Sequence, residues 1–145
     1  MDPAKSIESG DYALDDQVGF VMRRATQRHL SIFSSFIKDL TPTQFAALAK
    51  LHELGAVSQN DLGRQTAMDS ATMKGVVDRL AKRGLVATRR DPDDQRRILV
   101  ELSLAGHAAY LSNEGAARAI TEETLRPLSA PERAQFLALL GRLTG

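Results

Sequence analysis

The chain has 145 residues, 43% hydrophobic and 26% charged, with a formal net charge of +1, a balance that suits one water-soluble globular domain with or without helical arms. There is no cysteine, which excludes disulfides, thiol catalysis and cysteine-based zinc sites, and His29, His52 and His107 do not stand at metal-ligand spacing. No apolar run is long enough for a membrane span and residues 1–10 carry no signal-peptide pattern, so a cytoplasmic protein without membrane attachment is expected.

In chain order, Met1–Asp11 is polar, contains Pro3 and Gly10, and reads as a mobile arm. Leu14–Lys38 is predicted as one long helix. Leu14, Val18, Val21, Ala25, His29, Ile32 and Phe36 form one stripe, widened by Met22, Phe33 and Ile37. So broad an apolar face on a terminal helix predicts burial against a partner subunit. His29 on that stripe reads either as an interface histidine with one hydrogen bond or as a ligand contact. Arg24 and Arg28, one turn apart, are ordinary surface charges or a receptor for a carboxylate, which guanidinium binds in bidentate fashion. Thr41 caps the next helix, with Pro42 at its first position and Gln44 three residues after the cap. Phe45, Leu48, Leu51 and His52 are expected to face inward, and Gly55 ends the helix.

Ser58, with Asp61 three residues on, starts a short polar helix that runs to about Thr66. Ala67-Met68 is a break. Asp69 caps a second helix, Ser70–Arg83, which Gly84 ends, with Lys82 and Arg83 in a last turn where cations suit the helix dipole. Two helices joined by so short a turn are a helix-turn-helix. Met73, Val76, Val77 and Leu80 give the second helix one buried stripe. Its other face carries Ala71, Lys74, Gly75, Asp78 and Lys82, with Thr72 and Arg79 on the flanks. Gly75 costs about 1 kcal/mol against alanine in a helix interior, a cost that close approach to another surface would offset; a tolerated glycine on a solvated helix is the bland alternative. Val86–Arg90 and Ile98–Leu102 read as strands around the turn Asp91-Pro92-Asp93-Asp94. This hairpin carries Arg89, Arg90, Arg96 and Arg97 around its loop, and a basic hairpin directly after a helix-turn-helix is a wing.

Ser103 caps a helix from Leu104 to about Leu125, with Leu104, Ala108, Leu111, Gly115, Ala119 and Glu122 along one side, and Pro127 closes it. Ser129-Ala130-Pro131-Glu132 is a capping box, and Phe136, Leu139, Leu140 and Leu143 make the last amphipathic stripe. Apolar faces at both chain ends exceed what a small winged domain can cover, so a homodimer through residues 11–40 and 104–145 is expected.

Leu40-Thr41-Pro42-Thr43-Gln44-Phe45, Asp69-Ser70-Ala71-Thr72-Met73, Val77-Asp78-Arg79-Leu80, Arg83-Gly84-Leu85-Val86 and Asp91-Pro92-Asp93-Asp94-Gln95-Arg96 follow one another in an order and spacing that resembles the MarR (multiple antibiotic resistance regulator) family. The likeness runs from about residue 14 to the C-terminus. It implies a mostly α fold with a small β-hairpin wing: a winged helix-turn-helix part at 41–103 and dimerisation helices at 11–40 and 104–145, together one domain over 1–145. It also implies a homodimeric repressor whose DNA affinity is set by a small ligand, without a cofactor. Two positions depart from the family: Ala67 stands at the usual turn glycine, where a left-handed alanine would cost on the order of 1 kcal/mol, and Ser103 replaces a threonine. The absence of cysteine removes the thiol-oxidation switch of one branch. Leu14-Asp15-Asp16-Gln17-Val18-Gly19-Phe20 through Arg28-His29 resembles the branch that controls breakdown of aromatic acids, hydroxylated nicotinates among them.

Charge supports a nucleic-acid partner. Residues 64–97 hold nine Lys/Arg against five Asp/Glu, net +4, and the rest of the chain holds ten against thirteen, net −3. On a duplex with an inverted repeat, Ser70, Thr72 and Lys74 are expected at base edges, Gln59 and Arg79 at phosphates, and Arg89, Arg90, Arg96 and Arg97 along the wing. Arg96 is assigned to the minor groove or its phosphates, with Asp94 fixing the loop. Arg24, Arg28, His29, Phe45 and His52 are the candidate contacts for an aromatic carboxylate such as a hydroxylated nicotinate or benzoate. An enzyme is not expected, since no His-Glu metal motif or Gly-rich phosphate loop occurs. A winged helix devoted to architectural DNA binding or to protein contacts, without ligand control, is the alternative.

Overall fold

The computed structural model describes residues 10–145; most of the expected N-terminal arm, residues 1–9, lies outside the described residues. The elements are a 3-10 turn (Leu14–Asp16), α1 (Val18–Phe36), α2 (Pro42–Leu54), β1 (Val57–Ser58), α3 (Gln59–Gln65), α4 (Ser70–Lys82), β2 (Val86–Arg90), β3 (Ile98–Leu102), α5 (Leu104–Thr124) and α6 (Ala130–Arg142). They divide into two units: the segment ending at Phe36 with Ala119–Gly145, and Ile37–Arg118. Among the described residues no helix is long and apolar enough to cross a membrane.

Ile37–Arg118 is a winged helix-turn-helix. The capping box at Thr41 forms as the sequence predicts: the Gln44 N–H donates to Thr41 Oγ1 at 3.2 Å and the Thr41 N–H to Gln44 Oε1 at 3.2 Å. Gly55, at φ 78°, ends α2. The Asp61 N–H donates to Ser58 Oγ at 3.1 Å to start α3. Met73, Val76, Val77 and Leu80 of α4 are each at most 3% exposed and pack with Leu48, Leu51 and Leu62 in the core, where each such side chain contributes about 1.5–3 kcal/mol. The break at Ala67-Met68 is real. Ala67 has φ 56°, the left-handed region, and it is the one non-glycine residue there among those described.

The sheet has the order β1-β3-β2, all antiparallel, with Val57 opposite Val100 and Val86 opposite Leu102. The hairpin strands match the predicted bounds. The two-residue β1 escapes sequence reading because alternation cannot show over so short a run. Ser58 ends this strand and caps α3, and is 4% exposed. Ser103 opens α5 in two ways: its Oγ accepts from the Gly106 N–H at 3.0 Å and donates to the Gly84 carbonyl at 2.6 Å. Gly106 is required here, because an added Cβ would overlap the Leu85 carbonyl.

One inward assignment on α2 is corrected. Leu48 and Leu51 are buried and Phe45 is half-buried, but His52 is exposed. Successive helical residues are about 100° apart, so His52 lies off the Leu51 stripe, and buried Gln44 takes an inward place instead.

In the other unit the first helix is shorter than the predicted 14–38. Asp15 and Asp16 sit in a 3-10 turn, Gln17 is extended at φ −86° and ψ 136°, and its side chain donates to the Ala13 carbonyl at 3.1 Å. Aspartates favour such turns over helix interiors. The stripe of α1 is largely uncovered within the chain: Leu14, Val18, Val21 and Phe36 are all exposed, and Phe33 is its buried member. On α6, opened by the Ser129–Glu132 capping box, Phe136, Leu137 and Leu139 are also exposed, as is Leu143 at its C-terminal end. Val18, Val21 and Met22 of α1 line an apolar groove of about 520 Å³ with Phe136, Leu139 and Leu140 of α6 and Leu143 just after it.

Candidate nucleic-acid interface

The first turn of α4 is exposed, from the capping Asp69 through Thr72. Asp69 Oδ1 accepts from the Thr72 N–H at 2.7 Å. That backbone bond, first among the causes, holds the carboxyl below the usual carboxylate range and keeps it a charged cap. With the first turn fixed, Ser70, Thr72 and Lys74 project into solvent. Lys74 Nζ pairs with Asp78 at 2.9 Å, yet its side chain keeps 67% exposure, and an exposed pair of this kind contributes only a few tenths of a kcal/mol, roughly. Gly75 leaves room along the helix for Arg79: a Cβ at 75 would stand 3.3 Å from Arg79 Nη1.

The wing is tied together by its own polar groups. Arg90 Nη1 donates to the Gln95 carbonyl at 2.7 Å across the loop, and Arg89 Nε lies 3.7 Å from Glu101. Asp94 Oδ1 accepts from both the backbone N–H and the Nε of Arg96, each at 3.1 Å. The Arg96 guanidinium, the leading cause, holds the Asp94 carboxyl below its ordinary range. Arg96 itself is 91% exposed at its side chain. Between the wing and the first turns of α3 lies a polar cleft of about 470 Å³, lined by Ser58, Gln59, Asn60, Asp61, Arg64, Arg96, Arg97 and Ile98. Asn60, Asp61 and Arg64 do not stand out as contacts in the sequence. The signal available for them was slight: Arg64 follows Asp61 by three residues, and the two form an ion pair.

The candidate ligand contacts fall in both units, and each unit stands by itself. In the winged unit Tyr110 stacks on Phe45 (ring centroids 5.7 Å apart) and on His52 (4.4 Å), and His107 meets His52 edge-on at 5.7 Å. Burial is the leading cause that pushes the Tyr110 hydroxyl up. Tyr110 escapes sequence reading because nothing in its own helix shows it facing α2. In the other unit Arg28 donates to the carbonyls of Thr124 (2.8 Å) and Glu123 (3.1 Å), and His29 Nδ1 lies 2.8 Å from Thr124 Oγ1. Arg28 thus caps the C-terminus of α5, where carbonyls lack helical partners. Arg24 is exposed. Among the described residues no group of three His, Cys, Asp or Glu side chains is placed to hold a metal ion.

Residues 40–98 match the model of the MarR family. The chain is 39% identical to the transcriptional repressor NicR of Pseudomonas putida, over 94% of this chain and 88% of that one. A crystal structure of a probable transcriptional regulator from Pseudomonas aeruginosa superposes with a TM-score of 0.88 at 53% identity, covering 90% of this chain and 99% of the other. Bordetella bronchiseptica BpsR, whose structure concerns regulation of DNA binding by 6-hydroxynicotinic acid, superposes with a TM-score of 0.89 at 39% identity, over 92% and 96% of the two chains. With a winged helix-turn-helix at its centre and these likenesses spanning nearly the whole chain, the protein belongs to the MarR family of transcriptional regulators.

Proposed function

We propose that the protein is a homodimeric repressor that binds an inverted-repeat operator and is released by a small aromatic carboxylate. The observation that carries the DNA part is the shared exposure, in one unit, of the first turns of α4 and an arginine-bearing wing. Ser70, Thr72 and Lys74 read base edges from the N-terminal part of the recognition helix, as in other helix-turn-helix proteins. Gln59, Arg79, Arg89 and Arg90 hold phosphates, and Arg96 enters the minor groove or grips its edge. Residues 11–40 and 104–145 form the dimer contact. The uncovered stripes on α1 and α6 support this, as does the exposure of Leu104 and Leu111 on α5, since a monomer seldom leaves so much apolar surface open.

The effector class is supported by the regulation of BpsR by 6-hydroxynicotinic acid and by chemistry present here. In the winged unit the Phe45–Tyr110–His52 stack offers ring surface to an aromatic ligand. In the other unit Arg24 offers a guanidinium to a carboxylate, while an effector that engages Arg28 or His29 must displace their bonds to α5. The ligand releases DNA only if it binds the DNA-incompetent form more tightly.

An electrophoretic shift on the promoter region upstream of the gene, against a scrambled duplex, tests the DNA reading. Specific retardation, lost on addition of 6-hydroxynicotinate or a hydroxybenzoate, is expected. Equal binding to scrambled DNA would leave an architectural protein instead. Calorimetry in which none of these acids binds, or in which Arg24→Ala and His52→Ala bind them normally, would remove the assigned contacts. Lys74→Ala should cost about 1–3 kcal/mol on the operator and much less on scrambled duplex; an equal loss on both means that Lys74 touches only backbone.

A further inference from the structure

We infer that Arg97 is a positioning residue that braces the wing against the helix-turn-helix, and not a phosphate contact like its neighbour Arg96. Adjacent in sequence, these two arginines have opposite surroundings. Arg96 projects from the tip with a side chain 91% exposed, and its acidic partner, Asp94, belongs to the same loop. Arg97, 47% exposed at its side chain, reaches two carboxylates on different elements. Its Nη2 lies 3.4 Å from Asp61 Oδ2 on α3, and its Nη1 lies 3.8 Å from Asp91 Oδ2 at the base of the loop. Asp91 is itself a fixed point. Its side chain is 12% exposed, its Oδ1 accepts from the Asp93 N–H at 2.8 Å, and its own N–H donates to the Arg97 carbonyl at 3.0 Å. Asp61 has its backbone held in the first turn of α3 by the Ser58 cap, and its other carboxylate oxygen pairs with Arg64.

A guanidinium presents donors on two edges of a rigid plane, so it can join two anchored carboxylates where a flexible ammonium cannot hold both in one geometry. The charge of Arg97 is partly met within the protein, by Asp91 and by Asp61, which it shares with Arg64. A phosphate would have to displace a carboxylate from Arg97, whereas at Arg96 it meets a cation already turned outward. The brace therefore fixes where the tip, and with it Arg96, stands relative to α3 and α4. Loops that carry a binding group gain affinity from such fixing, because less freedom is lost when the complex forms.

This inference rests on the DNA-binding reading, and the test separates the two. Wild-type protein that fails to bind operator sinks that reading; the brace is then still measurable in the free protein, by hydrogen exchange of the amides of Asp91 and of residues 93–97. Arg97→Ala should speed this exchange and weaken operator binding about fivefold, the scale of a partly exposed ion pair. It should leave the slope of log affinity against log salt unchanged, while Arg96→Ala lowers that slope by about 0.9 for each phosphate left without its cation. Repeated in an Asp61→Asn background, which also cancels any gain from freeing Arg64, Arg97→Ala should cost less than about twofold. Arg97→Lys, which keeps the charge and disturbs folding less, should reproduce most of the loss. An equal loss in both backgrounds, a slope reduced by Arg97→Ala, or unchanged exchange in the loop would each overturn the brace.

Discussion

Ala67 turns the chain between α3 and α4 and so sets where the recognition helix begins. Its φ of 56° places a Cβ against the following carbonyl, at a cost of about 1–2 kcal/mol. Two bonds hold it there, Met68 N–H to the Gly63 carbonyl at 2.9 Å and Ala67 N–H to the Arg64 carbonyl at 3.3 Å. The methyl is exposed, so Ala67→Gly forfeits almost no burial. Against the relief stands the extra freedom of glycine in the unfolded chain, about 0.4–1 kcal/mol. The net expectation is a stabilisation of roughly 0.5–1 kcal/mol, or a rise in melting temperature of about 1–4 °C for a chain of this size. Urea unfolding at one fixed protein concentration is the assay, because association alters apparent stability. The midpoint should rise at unchanged slope. Gly63→Ala supplies the opposing measurement in the same turn: its Cβ would stand 3.1 Å from the Met68 carbonyl oxygen, and that crowding should outweigh a helix-propensity gain of about 1 kcal/mol. If Ala67→Gly lowers the midpoint, or Gly63→Ala raises it, the strain assigned to this turn is wrong.

Gly106→Ala should destabilise by about 1–3 kcal/mol or more, since its Cβ collides with the backbone of Leu85 and disturbs the Ser103 N–H bond to the same carbonyl; an unchanged melting temperature would show that α5 shifts freely there. Asp94→Ala should weaken operator binding although it removes a negative charge, because Arg96 loses its anchor; tighter binding at every salt concentration would make Asp94 merely repulsive. The Asp94 carboxyl is depressed by Arg96, so its bonds are present at and above the ordinary carboxylate range and fade only as pH falls through the lowered value. An acid titration of the Arg96 amide by NMR should place the change below that of an unperturbed aspartate. Equilibrium sedimentation should give a dimer at micromolar protein, and Val21→Asp should dissociate it; a stable wild-type monomer would leave the stripes on α1 and α6 unexplained.

What the sequence by itself determined is local. The caps at Thr41, Ser58, Asp69 and Ser129 depend on groups within three residues of each other, and the buried stripe of α4 depends only on helical spacing. The two wing strands and the break at Ala67-Met68 were legible for the same reason, whereas the left-handed backbone at Ala67, which its residue type disfavours, was expected only from the family resemblance. The helical arms, the wing and the order of the elements followed from them. What only the tertiary structure decided is which groups meet across distance. Arg28 reads as a free guanidinium until α5, 96 positions on, presents its last carbonyl. His52 reads as a core residue until Leu48 and Leu51 are seen to fill the interior, leaving it beside Tyr110. Arg97 reads as one more wing arginine beside Arg96, and only the fold sets Asp61, 36 positions before it, within its reach. Spacing states which side chains share a face; what covers that face, and so whether a charge stays available to a partner, depends on chain segments whose approach no local pattern encodes.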